Sequence, residues 1–264
     1  MSAPLKLVLI GDGRMGRRLR ELAPAHGFEV MLQLGEADNQ QGEALTAERL
    51  AGADAAIDFT HPDAAVTHIR RTLALGIPLV VGTTGWLTES TRPEIEKLVA
   101  EKSGKLLYGS NFSLGVQLFM KLAAEAGRQL GQAAGFDTSV HEVHHTGKAD
   151  APSGTAITLA RQFLTSAGKP ASAYTYGVPE RGQPDTETLR VSAQRLGGVF
   201  GDHSLRINSA WDDIELTHRA RNRDGFAVGA LKAAAWLCRQ EQAGFYLIED
   251  VVAQVLGHSE ENHP

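Results

Sequence analysis

The feature that most constrains the fold of this chain is a glycine-rich turn between a short apolar run and a stretch with helical periodicity. Residues 5–10 read as a buried strand, and residues 14–26 carry apolar side chains at helical spacing. In such a unit, the glycines of a Gly-x-Gly-x-x-Gly pattern allow a tight turn, close approach of the backbone to a pyrophosphate and close packing of helix on strand. The sequence therefore predicts a dinucleotide-binding turn, with a purely structural glycine turn as the alternative, made by Gly11, Asp12, Gly13, Arg14, Met15 and Gly16.

Apolar runs and helical stretches continue to alternate up to residue 111. This alternation is typical of repeated strand-helix-strand units, whose parallel sheet is covered by helices on both faces. We therefore predict an α/β chain whose N-terminal domain, residues 1–111, is a Rossmann-type doubly wound parallel sheet. The further strands are predicted at 28–34, 55–59, 79–81 and 106–108, and the helices between them at 62–75 and 88–102.

The pattern changes after residue 111. A long apolar helix is predicted over 116–130, and alternating polar and apolar residues at 137–145 and 204–208 predict half-exposed antiparallel strands. Residues 112–218 are thus expected to form a second, α+β domain with a mostly antiparallel or mixed sheet. Within it, residues 177–198 are rich in Gly, Pro and Thr and are predicted to form a mobile or interface loop. Beyond it, a helix is expected at 226–240 and a short apolar tail at 248–256.

Composition narrows the class of protein. With 264 residues, 42% of them hydrophobic, the chain can build two cored domains, and its net charge of −5 argues against nucleic acid as a partner. The single Cys238 excludes an intramolecular disulfide, fits a reducing compartment and is expected to fill a core. Because the N-terminus has no cationic leader and no run approaches the length of a membrane span, a cytoplasmic protein without membrane association is expected.

An acidic residue indicates which dinucleotide the turn would accept. In such folds a carboxylate about 20 residues beyond the glycines binds the ribose hydroxyls, and Glu36 stands there, with a solvated loop carboxylate as the alternative reading. Residues 37–41 contain no Arg or Lys to hold a 2′-phosphate, which leaves Arg14 as the basic residue that could reach one. NADH is therefore expected to serve at least as well as NADPH.

Two further turns follow predicted strands at the sheet edge where open α/β folds bind ligands. Gly82, Thr83, Thr84 and Gly85 leave room for a flat ring, and residues 111–113 offer backbone and amide groups that could fix a carboxamide. Each of these segments, taken alone, also reads as an ordinary strand-to-helix turn, because Gly, Asn and Ser are common in turns.

The densest group of polar residues lies between 142 and 155. Strand alternation is expected to point His144 and His145 to opposite faces, with Lys148 in the loop that follows. Residues 152–155, Pro-Ser-Gly-Thr, open a helix predicted over 156–166 and offer hydroxyls and free N–H groups to a carboxylate. Histidine, lysine and an anion-binding helix start together suit an acidic substrate that must be protonated.

Metal binding is the competing chemical interpretation of this segment, and exposed loop histidines are the structural one. His141, His144 and His145 have a spacing that ligands can have. Strand geometry, however, places His141 and His144 on opposite faces, a nearby lysine opposes a divalent ion, and no cysteine is close. We therefore predict no metal site.

With these residues in hand, the chain resembles the 4-hydroxy-tetrahydrodipicolinate reductase (dihydrodipicolinate reductase) family over nearly its whole length. Residues 142–156 carry the resemblance most specifically, and the other matching segments are 11–16, 58–60, 82–85, 111–116, 201–203, 215–218 and 223–227. The resemblance implies reduction of a cyclic dicarboxylate by NADH or NADPH, in lysine and diaminopimelate biosynthesis. It implies that His144 and Lys148 handle protons, and that the substrate carboxylates are held by His145, Ser153, Gly154 and Thr155.

The same resemblance implies a cofactor site and a subunit arrangement. The cofactor would be held by the glycine turn and Glu36, together with Gly82, Thr83, Thr84, Ser110, Asn111 and Phe112. Residues 219–264 would complete the nucleotide domain, and residues 112–218 would bind substrate and join four subunits into a homotetramer. Three departures stand out: the glycine loop is one residue shorter than in some relatives, Ala37 replaces a basic residue, and His61 replaces an arginine.

Two other functions compete with this interpretation. A nucleotide-sensing or scaffold protein would keep the first domain without catalysis, but it would have no need for His144 and Lys148. A different NAD(P)-dependent dehydrogenase, such as one that acts on an amino-acid semialdehyde, would need a nucleophilic cysteine or a different base. Cys238, in an apolar helical stretch, is poorly suited to that role.

Overall fold

The computed structural model describes residues 3–130, 133, 135–177 and 188–257. The chain divides into two compact units. One comprises Met1–Leu114 with Arg223–Pro264, and the other comprises Gly115–Asn222. The strands are β1 (Leu5–Ile10), β2 (Phe28–Leu34), β3 (Ala55–Asp58), β4 (Leu79–Val81), β5 (Lys105–Tyr108), β6 (Asp137–His144), β7 (Tyr174–Tyr176), β8 (Leu189–Arg195), β9 (Asp202–Asn208), β10 (Asp213–Arg219) and β11 (Gly244–Leu247). The α-helices are α1 (Arg14–Leu22), α2 (Pro62–Ala74), α3 (Thr91–Glu101), α4 (Leu114–Leu130), α5 (Gly154–Ser166), α6 (Asp224–Arg239) and α7 (Ile248–Gly257).

The first unit is built on a six-stranded parallel sheet in the order β11-β5-β4-β3-β1-β2. Side chains of β1 alternate between two cores, since Leu7 and Leu9 pack on the side of α6 and α7 while Val8 and Ile10 pack on the side of α2 and α3. All four are at most 1% exposed, as expected for a strand buried on both faces. The predicted Rossmann-type fold is confirmed, and β11 adds an edge strand that the sequence patterns did not indicate.

Two boundaries in this unit differ from the prediction. The helix expected over 14–26 ends as an α-helix at Leu22, and Ala23–His26 forms a 3-10 helix closed by Gly27 in the left-handed conformation. Pro24 explains the change, because proline has no N–H and its ring clashes with the preceding turn of an α-helix. The apolar tail predicted over 248–256 is the helix α7, whose buried valines join the core beside α6.

The second unit contains a five-stranded mixed sheet in the order β10-β9-β6-β8-β7. Strand β9 is antiparallel to β6 and β10, while β6, β8 and β7 run parallel, so the predicted mostly antiparallel or mixed sheet is confirmed as a mixed sheet. Helices α4 and α5 cover the sheet and share its core.

The loop predicted over 177–198 is wrong in its second half, where β8 forms. Leu189 and Val191 are buried on the core face of this strand, and their alternation is hidden in a segment that is otherwise rich in Gly, Pro and Thr. Residues 178–187 of the predicted loop lie outside the described residues. None of the helices in the described part of the chain has the length and apolar character needed to cross a bilayer.

Candidate active site and cofactor pocket

A cavity of about 560 Å³ opens in the first unit at the carboxyl ends of β1, β2 and β3. Three turns form its walls: the glycine turn after β1, the segment after β2 and the segment after β3. This is the edge at which parallel α/β sheets bind ligands. The lining residues are Ile10, Gly11, Asp12, Gly13, Leu34, Gly35, Glu36, Asn39, Gln40, Gln41, Phe59, Thr60, His61, Asp63, Ala64 and His68.

The glycine turn has the geometry that a pyrophosphate site requires. Gly11 has a φ of 112°, and a Cβ there would collide with the carbonyl oxygen of Phe59. A Cβ on Gly16 would collide with the carbonyl of Gly11, so this position lets α1 pack closely on the turn. By contrast, a Cβ on Gly13 would meet nothing within 4 Å, because this glycine faces open space at the N-terminus of α1. A phosphate can therefore approach the helix start, whose N–H groups and dipole favour anions.

The charges that line the cavity are negative. Glu36 is exposed at the end of β2, where it begins a short 3-10 helix. Asp12 lies directly against the backbone of Gly35, so that a Cβ on that glycine would be 2.6 Å from the Asp12 Oδ2. Asp63 lines the opposite wall, and the described residues around the cavity include no lysine or arginine. Carboxylates at this edge of the sheet are suited to binding ribose hydroxyls.

The other residues predicted for the cofactor follow β4 and β5 and do not line this cavity. Thr83 is buried, and its hydroxyl donates to Oδ1 of Asp58 over 2.8 Å, whereas Thr84 is exposed. Ser110 is exposed, the Asn111 side chain accepts from the N–H of Ser113 at 2.9 Å, and Gly82 donates its N–H to the Asp58 carbonyl. The ring of Phe112 is buried in the core, where it packs edge-on against Phe59 with centroids 6.0 Å apart.

In the second unit, β6 brings a carboxylate and a histidine into its buried face. Val140, Glu142 and His144 alternate inward along the strand, and Glu142 is fully buried at a position where a core strand would normally place an apolar side chain. The register sets their neighbours, since His203 on β9 lies opposite Glu142 and Arg195 on β8 lies opposite His144. Two histidines and one arginine thus surround one carboxylate.

Glu142 is held mainly through one of its oxygens. Oε1 accepts the backbone N–H of Ser153 at 2.9 Å and the Nη2 of Arg195 at 3.1 Å. Burial by itself would raise the pKa of Glu142, but the hydrogen bonds from Ser153 and the positive charges of His144 and Arg195 outweigh it and leave the pKa below its usual value. Glu142 is therefore a carboxylate anion at neutral pH.

His144 lies beside the other oxygen of this carboxylate. Its Nδ1 is 2.8 Å from Oε2 of Glu142, and Nε2 of His203 lies 3.7 Å from the same oxygen, so this carboxylate oxygen faces two histidine rings that pair with it as ions only when they are protonated. Burial lowers the pKa of His144, the Glu142 charge raises it, and Lys148 and Arg195 lower it further, so that the pKa ends below the usual value. Its neighbour His203 is more deeply buried, with a pKa lowered to about 4.

The loop after β6 carries the predicted lysine. His145 follows the last residue of β6, and its carbonyl accepts the N–H of Lys148 in a turn. The Nζ of Lys148 lies 2.7 Å from the carboxylate of Asp150. This contact is the largest cause of the lowered pKa of Asp150. Arg195 closes the loop, since its guanidinium also donates to the backbone carbonyl of Asp150.

The start of α5 is engaged within the protein. Ser153 is the N-cap, and its hydroxyl accepts the N–H of Ala156 at 3.2 Å and lies 3.3 Å from Nε2 of His203. Gly154 is exposed at the first helical position. Thr155 follows it, half-buried. Of the residues predicted to bind the substrate carboxylates, Gly154 thus lies at the solvent-exposed helix start and Ser153 lies beneath it.

A metal is disfavoured by the surroundings of this cluster. Glu142, His144 and His203 each offer a ligand atom, and these atoms lie within 4.8 Å of one another. Arg195 and the N–H of Ser153 already occupy the other carboxylate oxygen, and a guanidinium so close would repel a divalent cation. His141, which the sequence suggested as a ligand, points to the opposite face and contacts Ser192 Oγ at 2.8 Å.

Cys238 does not have the environment of a nucleophile. Its sulfur lies 3.5 Å from the carbonyl of Asp54, and burial raises the pKa of the thiol to about 11. At neutral pH the side chain is therefore a thiol, which is the unreactive form. It lies in α6 and packs, partly buried, against the core, as expected of a core-filling residue.

Three residues of the cluster were missing from the sequence-predicted site. Glu142 could have been found from the alternation of the strand, because Val140, Glu142 and His144 lie on the same face of β6. His203 lies in a segment that carries the family resemblance, so a signal for it was present as well. Arg195 could not have been found, because its place depends on the parallel pairing of β8 with β6, in a segment predicted to be a loop.

Comparison with known families identifies relatives of the whole chain. The family model described as dihydrodipicolinate reductase, N-terminus, matches residues 5–112, and the one described as dihydrodipicolinate reductase, C-terminus, matches residues 115–252. A 4-hydroxy-tetrahydrodipicolinate reductase of Christiangramia forsetii is 32% identical over 251 residues, which cover 95% of this chain and 99% of the relative. Another, from Burkholderia mallei, is 36% identical over 272 residues, with 94% and 98% covered.

The fold also matches a solved structure. Dipicolinate-bound dihydrodipicolinate reductase from Paenisporosarcina sp. TG-14 aligns with a TM-score of 0.75 over 94% of this chain and 99% of that chain. Sequence identity with that protein is 21%, so the match describes the fold. It supports the assignment of a Rossmann-like parallel sheet together with a second, mixed sheet.

Proposed function

Because this chain belongs to the dihydrodipicolinate reductase family, we propose that its buried histidine cluster and the following lysine loop carry out the proton chemistry of that reaction. The protein is an oxidoreductase that reduces 4-hydroxy-tetrahydrodipicolinate to tetrahydrodipicolinate with NAD(P)H, in the biosynthesis of diaminopimelate and lysine. Its substrate is accordingly a small cyclic dicarboxylate. The roles of individual residues are our proposal.

The observation that carries the proposal is the arrangement at the end of β6. A buried carboxylate, Glu142, lies under His144, and Lys148 is close enough for its charge to lower the pKa of that histidine. The N-terminus of α5 begins next to the same loop at Gly154, which is exposed. Two proton-carrying groups beside an anion-binding helix end suit a dianionic ring that must take up a proton as it is reduced.

The residues divide into those that touch substrate and those that position. We assign His144 and Lys148 as the groups that hold and move the proton, and His145, Gly154 and Thr155 as holders of the carboxylates. Ser153 supports them, because its N–H fixes Glu142 and its hydroxyl caps α5. Glu142 is a positioning residue whose negative charge raises the pKa of His144 against the effect of burial.

The cavity in the first unit fits the dinucleotide. Gly13 leaves open space at the start of α1 for the phosphates, and Glu36 stands where ribose hydroxyls are bound. When bound, the reduced nicotinamide supplies a hydride to the substrate. We assign Gly11, Asp12, Gly13, Arg14, Met15 and Gly16 to the phosphate end. To the nicotinamide end we assign Gly82, Thr83, Thr84, Ser110, Asn111 and Phe112.

We further propose that NADH binds at least as well as NADPH. Asp12, Glu36 and Asp63 place three carboxylates around the cavity, and they would repel a 2′-phosphate. Comparing the dissociation constants of NADH and NADPH tests this proposal. Tighter binding of NADPH would contradict it and would implicate Arg14, which lies at the first position of α1.

The second unit is also proposed to join subunits into a homotetramer. All seven large hydrophobic side chains that are exposed in the described part of the chain belong to this unit, and Trp211 is the most exposed at 87%. Apolar side chains grouped in one unit are typical of an association surface. A mass of four chains in light scattering is expected.

We also propose that the enzyme lies in the cytoplasm.

The activity has a direct test. The condensation product of pyruvate and aspartate semialdehyde is supplied to the purified protein together with NADH, and the loss of absorbance by NADH is followed. Oxidation that depends on both compounds is expected. A protein that binds NADH and leaves this compound unreduced would refute the proposed function.

A further inference from the structure

A buried hydrogen-bond chain crosses the wall of the cofactor cavity. It joins Asn39, in the segment after β2, to His68 in α2 and to Asp58 at the end of β3. Asn39 is 4% exposed, His68 1% and Asp58 0%, although asparagine, histidine and aspartate are usually found at the surface. Both Asn39 and His68 also line the cavity. Neither of these two residues is among the site residues assigned above.

The order of donors and acceptors in this chain is fixed at its outer end. The Oδ1 of Asn39 accepts the backbone N–H of Ala44 at 3.0 Å, so the amide nitrogen of Asn39 must face His68. That nitrogen is a donor, and it lies 3.2 Å from Nε2 of His68. Nε2 therefore accepts and carries no proton, which places the proton of the neutral ring on Nδ1.

The inner end of the chain is fully paired. Nδ1 of His68 donates to Oδ2 of Asp58 at 2.7 Å, and the hydroxyls of Thr60 and Thr83 donate to Oδ1 at 2.7 Å and 2.8 Å. Thr83 also accepts the backbone N–H of Thr60 at 2.7 Å. One carboxylate thus fixes the ends of β3 and β4 relative to each other, and His68 links that pair to the segment after β2.

Stability alone does not account for such a chain. A buried carboxylate and imidazole lose hydration, and apolar residues of similar volume usually serve the folded state as well or better. The segment that His68 holds is anchored at its far side by apolar packing, since Ala44 and Leu45 are buried in the core beside α2. The hydrogen bond between His68 and Asn39 therefore serves to hold Asn39 and the residues next to it at the cavity wall.

We propose that His68 is a positioning residue for the dinucleotide, which holds the two walls of the cavity in place before the cofactor binds. The inference rests on the assignment of this cavity to NAD(P)H. Without the link, the segment after β2 samples positions in which Asn39 and Asp58 are hydrated, and the binding-competent form is less populated. Apparent affinity for the cofactor then falls by the same fraction, while the reaction of the filled site is unchanged.

The proposal is tested by three variants of the full chain. His68→Leu removes both hydrogen bonds, whereas His68→Gln keeps an acceptor for Asn39 and a donor for Asp58. Thr72→Val is the matched control, because Thr72 is buried on the same helix and its hydroxyl has no hydrogen-bond partner among the described residues. NADH dissociation constants are measured without substrate, followed by kcat and the KM of each substrate.

The expected pattern separates positioning from catalysis. His68→Leu should raise the dissociation constant and the KM of NADH about 10-fold, the range expected when buried polar groups lose a partner. Its kcat at saturating NADH and its KM for the dicarboxylate should stay within about twofold of the wild type, since a smaller binding-competent population weakens only the binding of the cofactor. His68→Gln should recover most of the affinity, and Thr72→Val should match the wild type.

Three results would overturn the proposal. His68→Leu could bind NADH as tightly as the wild type, His68→Gln could bind as weakly as His68→Leu, or kcat could fall with KM unchanged. If His68→Leu does not fold, Asn39→Ala breaks the same link at the outer end of the chain and should weaken the binding of NADH in the same way. Nitrogen-15 spectra of the wild type give a readout independent of activity, and a proton on Nε2 of His68 would contradict the chain of donors.

Failure of the proposed function would look different. A wild-type protein that does not bind or oxidise NADH would refute the assignment of the cavity, whatever the variants do. A wild-type protein that binds NADH normally, with a His68→Leu variant equal to it, would leave the function intact and refute only the role of His68.

Discussion

Each unit of the molecule buries a carboxylate beside a histidine, and the two clusters differ in how completely they are paired. In the first unit, both oxygens of Asp58 accept hydrogen bonds and both nitrogens of His68 have partners. In the second unit, Oε1 of Glu142 accepts hydrogen bonds from Ser153 and Arg195, whereas Oε2 faces two histidine nitrogens, 2.8 Å from Nδ1 of His144 and 3.7 Å from Nε2 of His203. The first arrangement fixes a wall, and the second leaves a proton acceptor and a ring whose protonation can change.

This difference follows from what surrounds each carboxylate. Asp58 is met by neutral donors, two hydroxyls and an imidazole N–H, so its cluster has one stable arrangement of protons. Glu142 is met by Arg195 and by two histidines whose pKa values are lowered by burial. Burial lowers the pKa of His144 while the Glu142 charge raises it, so a ligand that changes either effect changes the charge of the ring, as is typical of catalytic acids and bases.

The largest effect is expected from His144 and Lys148, the residues proposed to move the proton. His144→Ala or Lys148→Ala should lower turnover by about 10²- to 10⁴-fold, the usual contribution of a positioned acid or base. NADH affinity should be nearly unchanged, because neither residue lines the cavity of the first unit. Turnover and NADH titrations measure the two properties separately.

The control for these variants is His141→Ala, which removes a histidine from the opposite face of β6. Its turnover should equal that of the wild type. Loss of cofactor affinity with turnover retained, in either the His144 or the Lys148 variant, would show that the two clusters do not divide the work as proposed.

A smaller loss of turnover is expected from crowding His144. Gly201 has a φ of 147°, and a Cβ there would lie 2.9 Å from Nε2 of His144. Gly201→Ala should shift the ring and reduce turnover by about 10- to 100-fold, the scale expected when a reacting group is displaced by about 1 Å. Gly198→Ala is the control, because nothing lies within 4 Å of a Cβ at that position. Equal turnover in the two variants would mean that the position of Nε2 does not matter.

The sequence predicts the first unit better than the second, and the reason is the range of the interactions. The strands β1 to β5 are short apolar runs, and the glycine turn is a contiguous motif, so local patterns suffice to identify them. In the second unit, β8 pairs in parallel with β6 across about fifty residues of chain, and no local pattern specifies that pairing. A mixed sheet could be predicted, but its strand order could not.

The site residues also divide into those that local sequence patterns predict and those that only the folded chain brings together. His144, Lys148 and the start of α5 are neighbours in sequence and were predicted together. Glu142 was present in the same segment, but its burial depends on which face of β6 meets the core. Asn39 and His68 come from different elements on two sides of a sheet edge, and only the folded chain brings them within 3.2 Å.

The pH dependence of stability should show how burial affects the protonation of His203 in the second cluster. The pKa of His203 is lowered by burial from 6.5 to about 4, so an unfolded chain takes up this proton at a higher pH than the folded protein does. Between these values the unfolded state binds more protons, and the free energy of unfolding falls as the pH falls. The contribution of His203 to the free energy of unfolding is fully present above pH 6.5 and is lost as the pH falls toward 4, by at most about 1.4 kcal/mol per pH unit.

Urea unfolding between pH 8 and pH 5 measures this slope, within a range that avoids most carboxylate titration. His203→Gln should reduce the slope below pH 6.5, while above pH 7 the slopes of the two proteins should coincide. Identical slopes at all values would show that His203 accepts a proton as readily in the folded protein as in the unfolded chain.

The smallest effect concerns the anion that the lysine loop already holds. The Asp150 carboxylate lies 2.7 Å from Nζ of Lys148, a group proposed to meet the substrate. A substrate carboxylate would have to replace Asp150 at this lysine. Because Asp150 is 57% exposed, its ion pair with Lys148 is weak, and Asp150→Asn should lower the KM of the dicarboxylate by only about two- to fivefold. Asp213→Asn is the control, since it removes an exposed carboxylate paired with Arg206 elsewhere in the same unit. A raised KM in Asp150→Asn would mean that Asp150 positions the lysine, which would make the loop resemble the paired cluster of the first unit.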